Sequence, residues 1–179
     1  MFGGTSTIKA ILLAGGYGTR LGTMTKDIPK PMIDIGGKPA IEHIIQRLNS
    51  HGIKDIIVNI HYLPNMISDY LQERVLYYYT PKLLGHEGTF KALQPWLEDD
   101  FLVINADTLT ELNYTDVINF HQHNTITACM DEWRSIGTWI YCHEYFKNDA
   151  LPIRKYKYSG TWIDIGTRAR LKEAKEIFG

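Results

Sequence analysis

Apolar and polar positions along this chain alternate between two periods. Residues 8–13 are apolar except for Lys9, the composition of a short strand buried on both faces. Pro39 then stands ahead of Ile41, Ile44, Ile45 and Leu48, which repeat at helical spacing, and Gly52 supplies a stop. The Ile56-Ile57-Val58 core of residues 55–60 predicts a second buried strand. That makes a strand, helix, strand unit with the right-handed crossover such units take. The rhythm continues with a helix over 64–73, carried by Met66, Ile67, Tyr70 and Leu71, and a strand over 75–79. Loop and helix follow over 85–96, then a strand over 101–105, a helix over 115–123 and strands over 126–130 and 136–141. A final helix over 168–178 is opened by Thr167. Strands alternating with helices predict an α/β fold, a mostly parallel sheet with helices on both faces. It is expected as one domain over 8–179, after a short, loose leader over 1–7 that contains Gly3 and Gly4.

Composition narrows the partners. A chain of 179 residues suits one continuous core. Its net charge of −1 lacks the field that nucleic acid or an anionic membrane would require. Phosphate binding would therefore rest on locally placed cations. Cys129 and Cys142 have a spacing unlike any zinc or redox pair, so reduced thiols and a cytoplasmic location are expected. No apolar run approaches the ~20 residues of a membrane span.

The first strand empties into Ala14-Gly15-Gly16-Tyr17-Gly18-Thr19-Arg20, and Lys30 follows between Pro29 and Pro31. Glycines at the C-terminal end of a buried strand let backbone N–H groups approach a phosphate chain with no side chain between. Arg20 and Lys30 add fixed positive charge, and the flanking prolines restrict the Lys30 backbone. Leu21 stands where a dinucleotide fingerprint needs its third glycine, and no Gly-Lys-Ser/Thr completes a Walker loop. The pattern points instead to a nucleoside triphosphate. Asp107 and Asp164 each end an apolar segment, where a carboxylate can serve Mg2+; on spacing alone a cap or turn role is the more economical reading. His121 and His123 read as a solvated pair at a helix end, and Tyr77 to Tyr79 as strand packing.

Together, G-G-x-G-T-R-L followed by P-K-P resembles the opening signature of the sugar nucleotidyltransferases, or NDP-sugar pyrophosphorylases. The likeness continues, in family order and over most of the chain, through Gly37-Lys38-Pro39, Ile41-Glu42-His43 and Leu84-Gly85-His86-Glu87-Gly88. It extends to Val103-Ile104-Asn105-Ala106-Asp107 and Trp162-Ile163-Asp164-Ile165-Gly166-Thr167. The resemblance implies a single-domain, three-layer, Rossmann-like fold with a mostly parallel mixed sheet. It implies a reaction in which a sugar 1-phosphate oxygen attacks the α-phosphorus of a nucleoside triphosphate and pyrophosphate leaves. Leu13, Ala14, Gly15, Gly16, Gly18, Thr19, Arg20, Lys30, Gly85 and Gly88 would bind the nucleotide. Arg20, Lys30 and Asp107 would be catalytic, Asp107 and Asp164 would hold Mg2+, and Ser135 and Gly137 would face the sugar. The partners implied are a nucleoside triphosphate and a sugar 1-phosphate, not nucleic acid or membrane, with homo-oligomerisation left open.

The chain departs from the family pattern before residue 136. Ser135 replaces an asparagine that helps hold the sugar, and only Asp131 to Arg134 precede it. Relatives carry there a hairpin and a Glu-Lys-Pro segment that touches the sugar and its phosphate; no Glu-Lys-Pro occurs in this sequence. Two readings follow. Retention of Arg20, Lys30, Asp107 and Asp164 favours an enzyme, while the shortened acceptor segment favours a catalytically weak, nucleotide-binding regulatory subunit. If a clamp were rebuilt in this segment, Glu132 or Arg134 would carry it.

Overall fold

The computed structural model describes residues 8–148 and 150–179, so the leader expected over 1–7 lies outside the described residues. The chain runs β1 (Lys9–Leu13), β2 (Asp34–Ile35), β3 (Lys38–Pro39), α1 (Ala40–Ser50), β4 (Ile56–Ile60), α2 (Pro64–Leu71) and β5 (Leu76–Tyr79). It continues with α3 (Gly85–Leu93), β6 (Phe101–Asn105), β7 (Thr108–Thr110), α4 (Tyr114–Phe120), β8 (Ile126–Met130) and β9 (Ser135–Tyr141). Last come β10 (Ile153–Lys157), β11 (Trp162–Asp164) and α5 (Arg168–Phe178).

Seven strands form one sheet in the order β10-β8-β9-β6-β1-β4-β5. Strand β1 is parallel to both β4 and β6, β4 to β5, and β10 to β8, whereas β9 runs antiparallel to β6 and β8. The sheet is thus mixed and mostly parallel. Its two faces explain the unbroken apolar runs. Ala10, Leu12, Ile56, Val58, Leu102 and Ile104 enter the larger core with α1 and α5, while Ile11, Ile57 and Val103 point to a smaller one containing Phe90, Leu93 and Phe101. Each leucine, isoleucine, valine or phenylalanine so buried contributes about 1.5–3 kcal/mol.

Several expectations are corrected here. Helix α4 stops at Phe120, because His121 turns to extended backbone (φ −62°, ψ 146°). Of the expected solvated pair only His123 is exposed, at 71%, its Nδ1 2.9 Å from Asp100 Oδ2, while the His121 side chain is buried, its Nε2 3.4 Å from the same oxygen and its Nδ1 2.8 Å from the Thr127 hydroxyl. Among the three tyrosines of β5, Tyr77 and Tyr78 pack on opposite cores, but Tyr79 is exposed. Strand β10 escapes sequence reading because, at the sheet edge, it buries little. Glu42, within the family-like Ile-Glu-His segment, is structural: its buried carboxylate accepts two 2.9 Å hydrogen bonds from Arg74 Nη2.

Candidate active site

The loops leaving β1 and β6 enclose a cleft of about 280 Å³ at the C-terminal ends of those strands. Leu13, Ala14, Gly15 and Gly16 form one wall, Asn105 and Asp107 another, and Lys30 and Pro31 a third, with Gly85, His86 and Thr89 of α3 opposite. Gly15 is favoured by close approach, since a Cβ there would stand 3.2 Å from His61 Cβ and 3.3 Å from Asn59 Oδ1. Gly18 turns the chain at φ +66°, and the Thr25 hydroxyl donates to its carbonyl at 3.0 Å. The loop is further pinned by Tyr17, whose hydroxyl lies 2.9 Å from His61 Nε2.

Lys30 sits in a 3-10 turn entered through Pro29 in extended backbone, which aims its side chain inward. Its ammonium donates to Asp107 Oδ2 at 2.8 Å, with 10% of the lysine side chain and 25% of the aspartate exposed. Asp107 and Asp164 are brought together by topology. β11 pairs with β7 so that Asp164 lies opposite Thr108, and the Ile165 N–H donates to the Asp107 carbonyl at 2.9 Å. Their carboxylates are differently engaged. Among the described residues Asp107 Oδ1 has only a 3.4 Å contact from the Thr108 hydroxyl, whereas Asp164 Oδ2 accepts from both Arg134, at 3.2 Å, and Arg170. Asp164 Oδ1 accepts from the Gly166 N–H at 3.1 Å. A hard divalent ion held by one or two carboxylates plus substrate phosphates fits Asp107 through Oδ1, while at Asp164 Oδ2 is shared by two guanidinium groups and Oδ1 takes the Gly166 N–H. No group of three or more candidate metal-ligating side chains occurs among the described residues.

Other predicted residues stand around the cleft rather than lining it. Arg20 lies against Gly166, where a Cβ would come within 2.9 Å of its Nη2. Gly88 faces Leu84 within α3. Gly137, at φ +77°, abuts Asn105 and Thr108, and Ser135 Oγ accepts from the Gly137 N–H at 3.2 Å. Thr19 opens the 3-10 turn that carries Arg20.

The cleft also contains residues that sequence reasoning missed. His86, though solvent-exposed, packs between Phe90 and Trp139, at ring-centroid distances of 6.3 and 6.0 Å. Desolvation against these rings pushes its imidazole below the usual histidine value, against the opposing pull of Asp107. Asn59 interrupts an otherwise apolar strand, and its Nδ2 donates to the Tyr78 carbonyl at 3.2 Å. That lone polar residue in a buried run was the available signal. A larger depression of about 890 Å³ lies at the other end of the strands, beside Ile8, Asp100 and Ile140, and none of the predicted site residues line it.

A glycine-lined strand end and a cation buried beside a carboxylate meet at the C-terminal edge of a mixed α/β sheet, where open α/β sheets place their ligands. Residues 9–135 match the Nucleotidyl transferase family, and the chain belongs to that family. It is 31% identical over 175 residues to the probable mannose-1-phosphate guanylyltransferase 1 of Oryza sativa subsp. japonica, covering 89% of this chain and 48% of that protein. To the mannose-1-phosphate guanyltransferase of Yarrowia lipolytica it is 28% identical over 174 residues, with the same shares covered. The chain thus spans about half the length of the curated relatives it matches. In fold it resembles HddC from Yersinia pseudotuberculosis, a structure complexed with GMP-PN, at a TM-score of 0.83 and 24% identity over 96% of this chain and 100% of that one. The UDP-glucose pyrophosphorylase of Acinetobacter baumanii superposes with a TM-score of 0.84 at 17% identity, covering 96% of this chain and 93% of that one. Helices of the described residues are all too short or too polar to cross a membrane.

Proposed function

We propose that this protein transfers a nucleoside monophosphate from a nucleoside triphosphate to a sugar 1-phosphate and releases pyrophosphate. The observation that carries the reading is the buried Lys30–Asp107 pair facing the Gly15-Gly16 wall of one cleft. Both reactants are anions, so the work is charge neutralisation and alignment of the attacking oxygen rather than covalent catalysis. Backbone N–H groups of Gly15 and Gly16 cradle the triphosphate. Lys30 turns from Asp107 to the α-phosphate, where it stabilises charge as the bond to the leaving group breaks. Arg20 holds the departing pyrophosphate with its planar fork. Gly85 and Gly88 position the base-reading end of α3. Mg2+, bound through Asp107 and phosphate oxygens, would supply Lewis-acid neutralisation.

A second reading has one observation in its favour: the turn from Asp131 to Arg134 joins β8 to β9 directly, which leaves the acceptor side of the site short. On that reading the chain binds nucleotide but turns over slowly. Pyrophosphate release measured with GTP, UTP, TTP, CTP and ATP against mannose and glucose 1-phosphates separates the two. The enzyme reading predicts saturable release that depends on both substrates and on Mg2+. Triphosphate binding without release under any pairing would support the regulatory reading instead.

A further inference from the structure

Beyond the cleft, arginines crowd around one carboxylate. Arg134 Nη2 donates to Asp164 Oδ2 at 3.2 Å, and Arg170 Nη1 donates to the same oxygen. Both guanidinium groups also lie over the Trp162 ring, at 4.9 and 5.5 Å from its centroid. Arg20 joins them from the glycine loop, its Nη2 within 3 Å of the point where a Gly166 Cβ would stand, and Asp164 Oδ1 is within 3 Å of that same point. Asp131 adds a second carboxylate beside Arg134 and Trp162, so two negative charges face three guanidinium groups.

The local structure adds to the imbalance. Helix α5 begins at Arg168 with no acidic residue in its first turn, so Arg168 and Arg170 sit at the positive end of the helix dipole, where cations are disfavoured. Arg134 is delivered by a tight turn in which Asp131 Oδ1 accepts the N–H groups of Trp133 and Arg134 at 2.8 and 2.7 Å. Those two bonds hold the Asp131 carboxyl below its usual range. A guanidinium has five donors, and among the described residues Arg134 and Arg170 each direct one to Asp164. The rest are free to meet an anion, and the indole holds both forks in fixed planes.

We propose that Arg134 and Arg170, held on Trp162 by Asp164, bind the phosphate of the acceptor sugar 1-phosphate. This rests on the reaction proposed above. Each of two anionic reactants needs its own cations: the glycine loop and Lys30 serve the triphosphate, and this second cluster serves the other. Its position agrees, because Arg134 directly precedes Ser135 of β9, the strand whose Gly137 abuts Asn105 and Thr108 beside Asp107. Asp164 is on this account a positioning residue for arginines. The doubly charged phosphate monoester supplies the negative charge that the cluster lacks.

Steady-state kinetics of the full chain with Arg134→Gln, Arg170→Gln and Arg170→Lys test the proposal, beside calorimetric titration with inorganic phosphate, mannose 1-phosphate, free mannose and GTP. Each glutamine variant should raise KM for the acceptor about tenfold or more while leaving KM for the triphosphate unchanged. Arg170→Lys should recover only part of the loss, since it keeps the charge without the fork. Inorganic phosphate should change Trp162 fluorescence in the parent but not in the glutamine variants, with Trp162→Phe identifying the signal. A rise confined to the triphosphate KM, or no change in either, would overturn the proposal. Phosphate binding that persists where no triphosphate binds would instead sink the reaction while sparing the anion site; a parent that binds neither phosphate nor sugar phosphate overturns the site itself.

Discussion

Replacing Lys30 by Met, alone and with Asp107→Asn, separates what the buried pair contributes to folding from what it contributes to chemistry. At 2.8 Å the bare attraction in a medium of effective dielectric near 20 is about 6 kcal/mol. Most of it is offset by taking both ions out of water, so a net coupling of about 2 kcal/mol remains. The two single variants differ because the partners are unequally buried. Lys30→Met leaves a carboxylate that is 25% exposed and can rehydrate, at a cost of about 2 kcal/mol. Asp107→Asn strands an ammonium that is only 10% exposed, costing about 3 kcal/mol. The double variant should lose about 2 kcal/mol less than the two single losses added together. Turnover behaves otherwise: Lys30→Met lowers it about 10²- to 10³-fold, and the double variant recovers none of it. Urea denaturation gives the first quantity and pyrophosphate release the second. Additive stability losses would refute the pairing, and a double variant that regains turnover would show Lys30 to be purely structural.

Gly166→Ala places a Cβ 2.9 Å from Arg20 Nη2 and 2.8 Å from Asp164 Oδ1; Asp164 is fixed by two arginines, so Arg20 yields. Turnover should fall by about 10²-fold, with a melting temperature close to that of the parent; intact turnover would remove Arg20 from the mechanism. Thr167→Ala removes the side chain that accepts the Arg170 N–H at 3.3 Å. It should cost about 1 kcal/mol of stability, largely restored by Thr167→Ser, as followed by thermal unfolding. Desolvation against its aromatic neighbours lowers the His86 imidazole in the fold, so below its usual value of 6.5 the unfolded chain binds the proton first. Its contribution is complete above that pH and is lost as pH falls through the lowered value. Unfolding of the parent and of His86→Gln across pH 7 to 5 should show the parent losing more stability; parallel curves would contradict the assignment.

Much of the sheet was readable because its central strands are buried on both faces, which leaves β1, β4 and β6 as apolar runs that periodicity detects. The edge strand β10 and the two-residue strands β2 and β3 bury too little to leave such a trace. The glycine-lined cleft was legible for a related reason. Glycines and proline-flanked lysines are local signals, and Gly15, Gly16 and Lys30 do line one cleft with Asp107. Non-local partners were not legible. Nothing in the spacing of Asp164, Arg134 and Arg170 says that a hairpin turn and a helix start converge on one oxygen, and His86 entered the cleft through the placement of α3. The pairing of His121 and His123 with Asp100 was hidden likewise, since the chain reverses only after Phe120.

The central claim is that the α-phosphoryl group, with its nucleoside, moves to the acceptor. Incubating the protein, Mg2+ and mannose or glucose 1-phosphate with nucleoside triphosphates labelled either at the α- or at the γ-phosphorus tests it most directly. The account predicts that α-label appears in an NDP-sugar and γ-label in pyrophosphate, in equal amounts, for at least one pairing of triphosphate and sugar phosphate. Label released as inorganic phosphate from the γ-position, or α-label that stays with the nucleotide while triphosphate binds, would contradict it.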